Sequence, residues 1–209
     1  MSRRAGAIAG GALVAAAILL GALVTLAPLD GVLDGRWNEL MAVVRQPWAI
    51  EVALFLNWIG GGWRAVFLVP LGVAGVLLVL RRWREALFAL AAFAASAAGV
   101  QLLKALFGRA RPEDLLVASD FGSFPSGHTA NAATIAMVLW LITPRVWAAM
   151  LGALWVVAMA LSRTVLSVHW LTDTVGGALV GAGTSLLVAA LLWAWLRWDR
   201  RPPTAERPA

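Results

Sequence analysis

The chain has 209 residues, of which 61% are apolar and 13% are charged, with a formal net charge of +6. Soluble domains carry roughly 25% charged residues, so this composition excludes an ordinary soluble globule and indicates an integral membrane protein. Cysteine is absent, which excludes disulfide scaffolds, thiolate chemistry and cysteine-based zinc sites. The cations lie scattered at the ends of apolar runs rather than on one soluble face, which argues against nucleic acid as a partner.

The apolar runs are continuous rather than alternating, so spanning helices are expected rather than a β-barrel. The predicted fold is an all-α, six-transmembrane-helix bundle over residues 1–199, followed by a polar, proline-rich tail over 200–209 expected to be disordered. The first span covers about Gly6 to Ala27. Arg3 and Arg4 ahead of it resemble the start of a signal peptide, but the run exceeds the roughly 7–15 apolar residues of a signal core, and an uncleaved helix is expected. The stretch Pro28 to Gly62 mixes Asp30, Asp34, Glu39 and Glu51 with apolar residues and Trp37, Trp48 and Trp58, as a helical segment lying at the membrane interface would. The remaining spans are expected at about Trp63–Leu80, Glu85–Phe107, Ser126–Ile142, Val146–Leu161 and Asp173–Leu196.

Arginine placement sets the expected orientation. With the N-terminus inside, inner segments carry Arg3, Arg4, Arg81, Arg82, Arg84, Arg145, Arg197, Arg200, Arg201 and Arg207. Outer segments carry Arg36, Arg45, Arg64, Lys104, Arg109, Arg111 and Arg163. Four of these seven belong to the chemical motifs described next. Without them the bias is ten to three, and the positive-inside rule puts both termini in the cytoplasm. Three motif segments then fall on the outer face.

Ionisable groups gathered at the ends of such apolar stretches mark a functional site by default. The first segment runs Lys104-Ala-Leu-Phe-Gly-Arg-Ala-Arg111-Pro112. Pro112 disfavours helix at Arg111, so a helix ending near Gly108 and a loop folding Arg111 back over Lys104 are expected. Two cations held together call for an anion between them, and a phosphate suits an arginine fork and a lysine point charge. The plain alternative is a snorkelling Lys104 and a headgroup-facing Arg111.

The second segment, Pro125-Ser126-Gly127-His128, opens a helix. Its free N–H groups, the Ser126 hydroxyl and the bare Gly127 backbone suit a phosphate, with His128 in the first turn. A simple helix cap fits as well. The third segment carries Arg163, His169 and Asp173. His169 and Asp173 are i and i+4, neighbours on a helical face. A carboxylate on one ring nitrogen fixes the tautomer and leaves the other nitrogen nucleophilic. A structural His–Asp pair is the alternative. With two histidines in the chain and three cations beside them, a metal site is disfavoured, and no cofactor is expected.

Together the segments read K-x6-RP, PSGH and SR-x5-H-x3-D over Lys104 to Asp173. This pattern resembles the type 2 phosphatidic acid phosphatase (PAP2) superfamily. The resemblance implies a metal-independent membrane phosphatase that acts on a lipid phosphate or diphosphate through a phosphohistidine intermediate. It implies His169 as nucleophile, Asp173 as its orienting carboxylate and His128 as proton donor. Lys104, Arg111, Ser126, Gly127 and Arg163 would hold the phosphoryl oxygens. A bacterial cytoplasmic membrane and an undecaprenyl diphosphate-like substrate are favoured, with phosphatidic acid and phosphatidylglycerophosphate close behind. A lipid-linked phosphotransferase and a non-catalytic lipid-binding protein are the other readings.

Overall fold

In the computed structural model, residues 2–26, 30–192 and 195 are described. They form eight α-helices: α1 (Arg3–Leu26), α2 (Gly35–Val44), α3 (Pro47–Gly60), α4 (Val69–Val79), α5 (Trp83–Phe107), α6 (Gly127–Ile142), α7 (Val146–Val165) and α8 (Leu171–Leu191). Wider π-helical turns precede α2 (Asp30–Asp34) and α4 (Arg64–Leu68). The described residues contain no strand. The expected tail over 200–209 lies outside the described residues.

The chain is a multi-pass membrane protein. By length and composition α1, α5, α7 and α8 can each cross a bilayer. Residues 47–60 and 64–79 meet the same test only together, as a pair bent by 53°. α6 is apolar but has 16 residues, about 24 Å of helix against a hydrocarbon core of about 30 Å. Four to five candidate crossings result, where the sequence suggested six.

Other boundaries depart from expectation for local reasons. α7 continues to Val165, four residues past the expected Leu161, so Arg163 lies in its last turn rather than beyond it. The stretch read as interfacial divides into α2 and the much more apolar α3. Both pack onto the end of the bundle, where Met41 and Ala53 join Val165, Leu166 and Val168 in one buried cluster.

α8 is the central helix and packs against α1, α5 and α6. Without a hydrophobic drive between helices in lipid, close backbone approach does the work, and it needs small residues. A Cβ at Gly177 would stand 2.3 Å from the Ser126 carbonyl oxygen, and one at Gly181 would stand 2.1 Å from that of Ala130. These contacts set the start of α8 against the start of α6. Ala17, Val100, Leu103, Ala130 and Val180 form one buried apolar layer. Large apolar residues such as Ile8, Leu19, Val76, Leu102, Leu154 and Leu191 point outward, as lipid-facing surfaces require.

Candidate active site

The three motif segments meet at one end of the bundle, formed by the C-terminal ends of α5 and α7 and the N-terminal ends of α6 and α8. α5 stops at Gly108, which adopts φ +53° and returns its N–H to the Lys104 carbonyl. That left-handed cap favours glycine and turns the following loop back over the helix end. Main-chain bonds then join the segments. Ser123 N–H donates to the Arg109 carbonyl at 2.8 Å and Ser126 N–H to the Asp173 carbonyl at 2.9 Å. Arg111 donates to the Val168 carbonyl.

Lys104 and Arg111 come together as expected. Their charges converge on Asp120, a loop carboxylate. Lys104 Nζ lies 3.1 Å from both Asp120 oxygens, and Arg111 Nη2 lies 2.7 Å from Oδ1. Both cations also donate to the Gly122 carbonyl, at 3.0 and 2.9 Å. Arg111 Nη1 is 3.4 Å from His169 Nε2, so one guanidinium touches both the Asp120 carboxylate and the imidazole.

Ser126 is the N-cap of α6 and is fully buried. Its Oγ accepts from Thr129 N–H at 3.5 Å and Thr129 Oγ1 at 3.2 Å. Its oxygen therefore serves its own helix start, and the Gly127 backbone and His128 face the cavity.

His128 sits under the break between α3 and the turn that follows it. A Cβ at Gly61 would stand 2.6 Å from His128 Nε2 and 2.7 Å from the Asn57 carbonyl oxygen. Arg163 is almost completely buried. It donates to Asn57 Oδ1 at 2.6 Å, to the Ala53 carbonyl at 3.4 Å and to Ser162 Oγ at 3.1 Å.

The His169–Asp173 pair forms, but not along a helical face. His169 precedes α8, and Asp173 is the third residue within it. Asp173 Oδ2 caps the helix by accepting from Trp170 N–H at 2.9 Å. The same oxygen is 3.4 Å from His169 Nδ1, facing that nitrogen at a distance longer than a good hydrogen bond. Burial pushes the His169 imidazole below its ordinary value; Asp173 pulls the other way, and the Arg111 and Lys104 charges add to the downward push. The ring is therefore neutral at neutral pH, with Nε2 toward Arg111.

A cavity of about 1070 Å³ opens from this end. Lys104, Asn57, Asp120, His128, Arg163 and His169 line its polar part, and Trp58, Phe67, Leu71, Leu90, Phe93 and Val100 its apolar part. Leu90 and Lys104 are fourteen residues apart on α5, about 21 Å at 1.5 Å per residue.

Sequence reasoning missed four residues here. Asn57, Asp34 and Asp120 lie outside the motifs, and Arg109, though inside the first segment, was given no role of its own. Arg109 bridges two buried carboxylates, with Nη2 2.8 Å from Asp34 and Nη1 2.7 Å from Asp173.

Cations, a helix start and two imidazoles thus line one cavity, a set suited to phosphoryl chemistry. The PAP2 superfamily model matches residues 85–197, more than half of the chain, and the protein belongs to that superfamily. It is a hydrolase of the PAP2 type. Bacillus subtilis phosphatidylglycerophosphatase B is 31% identical over 162 residues, covering 71% of this chain and 77% of the relative. Decaprenylphosphoryl-5-phosphoribose phosphatase of Mycobacterium tuberculosis is 33% identical over 156 residues, covering 70% and 82%. The crystal structure of a transmembrane PAP2-type phosphatidylglycerolphosphate phosphatase from Bacillus subtilis superposes with a TM-score of 0.77 at 26% identity, covering 90% of this chain and 98% of that one.

Proposed function

We propose that the protein hydrolyses a lipid phosphate or diphosphate at the extracytoplasmic face of a bacterial cytoplasmic membrane, through a phosphohistidine on His169. The carrying observation is the cavity. It has His169, His128, Lys104 and Arg163 at its polar end and an apolar wall along α5 on the scale of one bilayer leaflet. A soluble phosphate ester would have no use for that wall.

The steps follow from the side chains. His169 Nε2 attacks phosphorus as the bond to the lipid oxygen breaks, and His128 gives its proton to that oxygen. Water then attacks the phosphoryl group with His128 as base, the P–N bond breaks, and inorganic phosphate leaves. The phosphate dianion itself favours the protonated form of His128. Lys104, Arg111, Arg163 and the α6 N-terminus at Gly127 stabilise the equatorial oxygens, with Ser126 holding that helix start in shape. Asp173 orients His169. No step calls for a metal ion, so activity in EDTA is expected.

Orientation and topology belong to the same reading. With residues 64–79 as the second crossing and the short α6 as the fourth, six crossings put both termini inside and the site outside. The ten-to-three arginine bias supports this arrangement. Undecaprenyl diphosphate is the favoured substrate. The named activities of the relatives include both a polyprenyl-linked and a glycerolipid phosphate, so phosphatidic acid and phosphatidylglycerophosphate stand next.

Phosphate release from a panel of these lipids in detergent, with no added acceptor and with His169→Ala alongside, tests the proposal. Release by the wild type alone supports it. Equal release by both proteins refutes it, and transfer that needs an added acceptor lipid marks a phosphotransferase instead.

A further inference from the structure

Asp34 is fully buried, lies outside the three motifs and outside the family-matched residues, and takes no part in the steps above. Its partners are specific. Oδ1 accepts from Thr172 N–H at 3.0 Å, and Oδ2 accepts from Thr172 Oγ1 at 2.6 Å and from Arg109 Nη2 at 2.8 Å. Arg109, also buried, turns its other amino group to Thr172 Oγ1 and to Asp173 Oδ1, each at 2.7 Å.

Asp173 is thus gripped at both oxygens before His169 is considered: Oδ1 by Arg109 and Oδ2 by Trp170 N–H. The imidazole at 3.4 Å is the loosest of its neighbours. The direction in which the carboxylate faces His169 is therefore set from behind. A guanidinium can do this because its planar fork holds two carboxylates at a fixed angle, which an ammonium cannot. The fork is in turn held by Asp34 and Thr172.

We infer that Asp34 and Arg109 are positioning residues for the reaction, acting in the order Asp34, Arg109, Asp173, His169. The inference rests on the phosphohistidine reading. The competing account is a structural staple that fastens the turn at Asp30–Asp34 to the start of α8. A staple lowers melting temperature and folded yield. It does not make the effect of one substitution depend on whether Asp173 is present.

The test is steady-state phosphate release by the full chain in dodecyl maltoside, with dioctanoyl phosphatidate and farnesyl diphosphate as probes. Rates are expressed per folded molecule, as judged by size exclusion and melting. Asp34→Asn and Arg109→Lys are expected to lower kcat about 10- to 100-fold, the range seen when supporting groups behind a reactive ligand are lost, with KM within about twofold. The decisive comparison is a double-mutant cycle. Once Asp173→Asn has removed the carboxylate, adding Asp34→Asn should slow kcat by no more than about twofold. A full further loss in the double variant overturns the inference, as do single variants within about threefold of wild type. Should Asp34→Asn not fold, Arg109→Lys and its own double with Asp173→Asn carry the same comparison; if neither folds, the pair is structural and the inference fails. A wild type no faster than His169→Ala on both probes refutes the phosphatase reading itself, an outcome distinct from failure of the relay alone.

Discussion

If Lys104 and Arg111 hold the substrate phosphate as proposed, Asp120, which now bonds to both, competes with it, and replacing Asp120 should improve substrate binding. The perturbation is Asp120→Asn, which keeps the shape and removes the charge. The side chain of Asp120 is 68% exposed, while Lys104 and Arg111 are nearly buried. Each pair must therefore be discounted for solvent screening, to about 0.2–1 kcal/mol. The two together oppose substrate by about 0.4–2 kcal/mol, which corresponds to about a two- to thirty-fold lower KM in the variant. Inhibition by inorganic phosphate and vanadate should tighten by a similar factor, since both anions compete for the same cations. The gain should shrink as salt rises. The assay is phosphate release against lipid concentration in detergent at low and high ionic strength, with a phosphate inhibition series. An unchanged KM would mean that Asp120 does not compete with substrate. A higher KM would mean that it binds substrate, and either result refutes the reasoning.

Further expectations follow from the same geometry. Gly61→Ala puts a methyl group 2.6 Å from His128 Nε2; displacing a reacting group by about 1 Å costs about a hundredfold, so kcat should fall on that scale, and a kcat within a fewfold of wild type would disprove this seating of His128. Asn57→Leu removes the 2.6 Å acceptor from Arg163; a hydrogen bond to a charged group is worth about 1.5–3 kcal/mol, so kcat/KM should drop about 10- to 100-fold, measured on the same lipid panel. The depressed His169 puts the acid limb of kcat/KM below the ordinary imidazole value, and a limb at or above that value would contradict a neutral buried ring. Burial works against the Asp114 carboxylate, but Ser167, Arg45 and Asn38 hold it down to about 2 from an ordinary 3.8. A depressed folded-state value stabilises above the unfolded value and is lost as pH falls through the folded one. The melting-temperature gap between wild type and Asp114→Asn should therefore be full above about pH 4 and vanish towards pH 2.

The chemistry was more legible in this sequence than the scaffold behind it. Lys104, Arg111, His128, Arg163 and His169 could be gathered on paper because motif spacing, Gly108, Pro112 and the Ser126 cap are local signals. Local rules also misled. The i, i+4 spacing of His169 and Asp173 suggested a helical face, but Asp173 caps the start of α8, so the pair straddles the helix end. Asp34, Asn57 and Arg109 were not readable, because each acquires its meaning from a partner between about 60 and 140 positions away, and nothing in periodicity or capping encodes such a pairing. The crossing count was blurred where physics is marginal. α6 is short, and residues 47–79 bend at the Gly60-Gly61-Gly62 break, which a hydropathy window averages away.

The bond from Ser126 N–H to the Asp173 carbonyl has a wider implication. It ties the start of α6, which bears His128, to the start of α8, which bears Asp173, through atoms that every amino acid possesses. On the proposed reading, substitution in the greasy wall along α4 and α5 would remodel which tail is accommodated without loosening that clasp. A lineage built on it would then be free to exchange one lipid for another while the proposed reactive centre keeps a constant shape.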